Sequence, residues 1–140
     1  MALRVKVKLK TKDSAIETAA LVNSGYEAEG LEMALPASLA KRLGLSLRRG
    51  ALKEEYYSAG GRTKAYRVPR GLEVSLLAEG RKTSFLAVDA IVLPKLDEIL
   101  ISDKLSDALG IVPIKLGEGT WRLADEPDKV RASAPPERWA

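Results

Sequence analysis

From Leu3 to Lys10 apolar and basic residues alternate without a fault, Leu3, Val5, Val7 and Leu9 on one side, Arg4, Lys6, Lys8 and Lys10 on the other. That period of two predicts a half-buried strand. After a polar turn at Lys12-Asp13-Ser14, the segment Ile16 to Val22 becomes almost wholly apolar at Ala19-Ala20-Leu21-Val22. A strand that loses its alternation is entering an interior. It stops at Asn23-Ser24-Gly25, residues that favour tight turns and side-chain to backbone hydrogen bonds, so a polar loop projects from a buried strand.

Further along, Pro36 suits the first turn of a short helix, Leu35, Leu39 and Leu43 fall four apart on one face, and Gly44 stands where a helix stops. Leu52 to Tyr57 and Arg62 to Val68 flank Ser58-Ala59-Gly60-Gly61, a hairpin in which Gly60 and Gly61 supply positive φ, with Tyr56, Tyr57 and Tyr66 on outward-projecting arms. Pro69 and Gly71 are read as breaking this hairpin from a second, more core-like one, Leu72 to Ala78 and Lys82 to Leu93 around Glu79-Gly80-Arg81. Ile99-Leu100-Ile101 then leads to Ser102 as N-cap, Asp103 in the first turn, Leu105 and Leu109 on one face, and Gly110 as the stop. A last pair, Ile111 to Leu116 and Thr120 to Leu123, turns at Gly117-Glu118-Gly119 with Trp121 packed. Residues 125–140 show no periodicity and read as a flexible tail with Trp139 unpacked, so the domain spans residues 1–124. The helix ends Arg42-Leu43-Gly44-Leu45 and Ala108-Leu109-Gly110-Ile111 echo each other, as a duplicated strand-and-helix unit would, and as any two short helices ending in Leu-Gly would.

Composition narrows the chemistry. The 140 residues suit one domain, and 46% hydrophobic with 30% charged residues is too apolar for disorder. Uncharged runs fall far short of the roughly 20 residues that span a bilayer, and the charged start offers no signal-peptide core, so the expected setting is the cytoplasm, away from membranes. With neither cysteine nor histidine, disulfides, thiol nucleophiles, thiolate or imidazole metal sites and Ser-His-Asp triads are excluded. No metal or cofactor is expected, and catalysis would run on carboxylates, lysines, tyrosines or hydroxyls.

The order of these features, Leu21-Val22-Asn23-Ser24-Gly25, Leu35-Pro36, a helix ending Leu43-Gly44-Leu45, a Gly-tipped hairpin, Ile99-Leu100-Ile101 and a helix ending Leu109-Gly110-Ile111, resembles the retropepsin-like aspartic proteases. The resemblance covers about 120 residues. It implies a mostly β fold, a small closed barrel of acid-protease type with two short helices, six or more strands, and a homodimer with Asn23, Ser24 and Gly25 at the catalytic position near the two-fold axis. It further implies a hairpin flap, whose Tyr56, Tyr57, Gly60, Gly61 and Tyr66 are the candidate substrate-binding residues for an extended peptide. Two positions depart from the family: Asn23 stands where it carries the catalytic Asp, and Ile101 where it usually has Gly. The family's chemistry needs two carboxylates sharing a proton, one acting as base and one as acid, and an amide does neither. The implied function is therefore polypeptide binding in a dimeric cleft with hydrolysis impaired. The alternatives are an active endopeptidase in an Asp form, whether Asn23 was introduced or deamidates, and a β module binding nucleic acid or a protein partner.

Other carboxylates carry less. Glu27, Glu29 and Glu32 lie close to the turn but read as solvated loop residues, while Asp89, Asp97 and Asp103 lack the apolar-strand-then-Gly context. The last alternative rests on basic clusters, Arg4, Lys6, Lys8, Lys10 and Lys12, then Lys41, Arg42, Arg48, Arg49 and Lys53, under a net charge of +4. Lysines on an edge strand also discourage edge-to-edge pairing, and no aromatic or helical recognition signature accompanies them in sequence, so nucleic acid is not the favoured partner.

Overall fold

In a computed structural model of the chain, residues 2–46, 52–58 and 61–139 are described, the side chains of 52–58, 62 and 63 excepted. Strands β1 (Arg4–Lys10), β2 (Ala15–Val22), β3 (Glu32–Pro36), β4 (Leu52–Ser58), β5 (Gly61–Leu77), β6 (Leu86–Leu93), β7 (Ile99–Ile101), β8 (Ile111–Lys115) and β9 (Thr120–Leu123) alternate with helices α1 (Ala37–Arg42) and α2 (Asp103–Ala108). Six strands run in the order β1-β2-β7-β3-β6-β5, and β5 returns to β1 with Lys6–Lys10 opposite Glu73–Leu77. The result is a closed barrel with β2–β7 and β3–β6 parallel and its other pairs antiparallel. Among the described residues β4 pairs only with the first half of β5, outside the ring, and β8–β9 form a separate hairpin. No described helix is long and apolar enough to cross a membrane.

The alternation of β1 does what its period requires, with Leu3, Val5, Val7 and Leu9 buried against Val74, Leu76 and Val88. Both helices are two short turns ended by a glycine in the left-handed region, Gly44 at φ 75 and Gly110 at φ 78, and Ser102 Oγ caps α2 by accepting from Leu105 N. The paired helix ends thus share a backbone shape. The strands before them, β3 and β7, lie antiparallel side by side.

Four expectations about elements are corrected. The run 26–34 holds a strand, β3, and Leu35 belongs to it; Pro36 is the N-cap of α1, which starts only at Ala37. All five β3 residues are buried, so no alternation marks it. Pro69 and Gly71 do not end a strand: β5 runs on through them, its register to β6 shifting between Val68 and Leu72. This bulge places Arg70 at φ 49, donates Arg70 N to Asp89 Oδ1 (2.9 Å), and needs Gly71, since a Cβ there would lie 2.6 Å from Val68 Cγ1. β6 begins at Leu86 instead of Lys82, because residues 82–85 leave the ladder and fold over Ser75, whose Oγ meets Thr83 Oγ1 at 2.7 Å.

The fourth correction concerns Trp139, which packs against the main core, donates Nε1–H to Thr18 Oγ1 (3.1 Å) and lies under the Arg42 guanidinium. The segment before it, read as a tail, follows the barrel: Arg131 exchanges backbone bonds with Trp121, Ala134 N donates to Arg4 O, and Ala19 N donates to Glu137 Oε2. That last N–H lies beyond the end of β7 and would otherwise face an open ladder. Arg81 makes a bidentate pair with Asp125, holding its carboxyl below the usual range, and Arg131 with Arg81 does the same for Glu126. Trp121 is buried, as the sequence indicated.

Candidate functional site

β2 delivers Asn23 alongside β7. Its last three paired residues run parallel to Ile99–Ile101, and Asn23 N donates to Ile101 O (3.3 Å). Beyond that point the chain reverses: Tyr26 N donates to Asn23 O (3.0 Å), and the Asn23 side chain folds over its own turn so that Oδ1 accepts from Gly25 N (3.0 Å). Only an oxygen at the γ-branch is needed for this turn, so an amide and a carboxylate fill it equally well. Ser24 and Gly25 are exposed. The loop is then pinned to α2: Asp103 N donates to Tyr26 O (2.9 Å), Ala28 N donates to Asp103 Oδ1 (3.2 Å), and Lys104 Nζ reaches Glu29 O (3.1 Å). Asp103 thus serves the first turn of α2 and the loop together.

The barrel wall beside this turn carries a second, smaller core on its outer face. Met33, Ile99 and Ile101 point into the barrel, whereas the intervening Ala34 and Leu100 point out, where Ala34 joins Ala65 and Ile91 under half-buried Tyr26, Leu93, Leu96 and Leu100. Here the expectation for Glu32 is corrected. It is no solvated loop residue but lies in β3, with its Oε1 accepting from Tyr26 O–H (2.8 Å) and its Oε2 2.9 Å from Arg67 Nη1. Arg67 Nη1 also meets Asp89 Oδ2 at 2.8 Å. Glu32 and Asp89 are register partners across β3–β6, and Arg67 pairs with Ile91 across β5–β6, so three adjacent strands assemble the group. Glu27, Glu29, Gly30 and this trio line an open cavity of about 510 Å³.

The sequence signalled the turn but not this cluster. One trace of it was present: a lone charge at Glu32 inside the apolar run Leu31 to Leu35 is the pattern of a buried, partnered carboxylate. The two arms of the hairpin pair as the sequence indicated, Ser58 opposite Gly61, which takes φ 101. Gly60 and the side chains of Tyr56 and Tyr57 lie outside the described residues, while Tyr66 is half-buried opposite Val92 of β6. Among the described residues no group of three or more carboxylates is arranged to hold a metal ion. No protein-family model matches the chain, and no curated protein matches it in sequence.

Proposed function

We propose that the chain is an aspartic-protease-like protein of the retropepsin type, binding extended polypeptide in a cleft completed by a second copy and impaired in hydrolysis by Asn23. The observation that carries this reading is the turn itself: a γ-oxygen held by a backbone N–H, at the mouth of a parallel strand pair, beside a half-covered apolar wall. Such a wall suits the alternate side chains of a strand-like ligand, and the β4–β5 hairpin is the candidate flap. One copy contributes one turn. An acid and a base acting together need two, which is why a two-fold dimer belongs to the reading.

At Asn23 the amide keeps the turn but titrates nowhere useful, so no group there can activate water. Asn23→Asp restores the second protonation state without disturbing the Gly25 bond. The test is cleavage of casein between pH 3 and 7 by both forms, with and without a statine-type inhibitor. The Asp form is expected to show acid-favoured, statine-sensitive cleavage at least about 10²-fold above the Asn form, the lower bound for one general acid–base contribution. A folded, dimeric Asp form that cleaves nothing across several unstructured substrates rejects the reading, as does a monomeric mass by light scattering at tens of micromolar.

A further inference from the structure

The lysines of β1 have no edge to protect. β1 is hydrogen-bonded to β2 along its whole length and to β5 from Lys6 to Lys10, so it is interior to a closed barrel and the edge-strand account of its charges fails. Alternate residues of a strand stand about 7 Å apart on one face, which makes Lys6, Lys8 and Lys10 an evenly spaced outward row continued by Lys12. Lys6 pairs with Glu137, but among the described residues Lys8, Lys10, Lys12 and Arg70 form no ion pair. The bulge in β5 turns Arg70 toward the end of this row, where Lys10, Lys12 and Arg70 line an open cavity of about 320 Å³.

The aromatic element missing from the sequence pattern is supplied by the fold. Phe85, the only phenylalanine, leaves the ladder just before β6 and remains 37% exposed, with Lys10 Nζ 5.3 Å from its ring centroid. Among the described residues the carboxylates against this row are Glu17, opposite Lys8, Glu73, opposite Lys10 and lining the same cavity, Asp89, whose Oδ1 accepts from Arg70 N, and Glu137 at the far end, four against the five cations Lys6, Lys8, Lys10, Lys12 and Arg70. A row of cations of which Lys8, Lys10, Lys12 and Arg70 have no ion-pair partner among the described residues, beside a partly exposed ring, matches a ligand with repeated phosphates and flat bases.

We infer that the outer face of β1, with Arg70 and Phe85, binds single-stranded nucleic acid, the lysines and arginine following the phosphate backbone and the ring stacking on a base. This surface is distinct from the turn at Asn23, and the inference stands independently of the peptide-binding reading. It is tested by fluorescence anisotropy with a labelled 20-nucleotide oligo(dT) across a salt series, inorganic polyphosphate serving as competitor. Binding is expected to weaken linearly in log-log form, and the triple change Lys8→Gln, Lys10→Gln, Lys12→Gln should flatten the slope by about 2, at about 0.7 per lost phosphate contact. Phe85→Leu should weaken oligo(dT) about tenfold while leaving polyphosphate competition against the remaining binding unchanged. Glu17→Gln should tighten binding, and Lys115→Gln, on the separate β8–β9 hairpin, should do nothing. Far-ultraviolet circular dichroism confirms that each variant is folded. Absence of oligo(dT) binding at 50 mM salt, or a slope untouched by the triple change, overturns the inference. Equal loss of both ligands in Phe85→Leu overturns the base-stacking part and leaves an unspecific anion surface.

Discussion

Replacing Arg67 by Met removes the guanidinium that Glu32 and Asp89 share while keeping an aliphatic stem of similar length. Glu32 has a side chain 7% exposed, 2.9 Å from Arg67 Nη1, and Asp89, at 2.8 Å from the same nitrogen, is 31% exposed. Breaking a buried pair from one side costs about 3–5 kcal/mol, because the remaining charge stays desolvated. Arg67 is 21% exposed and Asp89 reaches water, so the low end applies, about 3 kcal/mol. In a chain of this size each kcal/mol moves the midpoint by about 3 °C, hence a fall of roughly 10 °C. Glu32→Gln behaves differently: the amide oxygen can still accept from Tyr26 O–H and Arg67 retains Asp89, so the loss should be about 1 kcal/mol. The double variant should lose less than the sum of the two. Urea unfolding at pH 7 and one fixed protein concentration, followed by circular dichroism, reads all three. If Arg67→Met costs no more than Glu32→Gln, the pair is not desolvated.

Two further outcomes follow from the corrected regions. Asp125 and Glu126 have carboxyls lowered by Arg81 and Arg131, so their contribution is complete above the ordinary values of 3.8 and 4.5 and is lost as pH falls through the lowered ones. Amide-exchange protection in 121–134, corrected for intrinsic rates, should therefore hold from neutrality to about pH 5 and begin to fall below the ordinary carboxylate values, with Arg81→Ala lowering it already at neutral pH; equal protection of the unaltered chain at pH 3 and pH 7 would falsify a role for these carboxylates in holding the segment. Gly71→Ala should cost about 1–3 kcal/mol by overpacking against Val68 Cγ1 at 2.6 Å, and less in a Val68→Ala background, where that methyl is gone. A Gly71→Ala cost that is the same in both backgrounds would place the strain elsewhere.

Local pattern was enough wherever one residue's neighbours in sequence were also its judges. The alternation of Leu3 to Lys10 sorted inward from outward side chains, Gly44 and Gly110 ended two helices, Ser102 capped one, and Asn23-Ser24-Gly25 formed the side-chain-bonded turn its residue types favour. In each case the deciding force acts within a few residues: a pleat, a positive φ, a capping bond. Tertiary structure decided the rest. β3 is buried at every position, so it carries no period to read, and β5 passes Pro69 because a bulge at Arg70 and Gly71 absorbs the missing donor. Trp139 found its place only because Thr18, Arg42 and the core lay open to it. Residues 32, 67 and 89 became one charge cluster through the registers of three strands, and β1 lost its edge when β5 closed on it. Register and closure are properties of contacts distant in sequence; a one-residue slip would have sent Glu32 and Arg67 to opposite faces, and nothing in either residue's own neighbourhood forbids it.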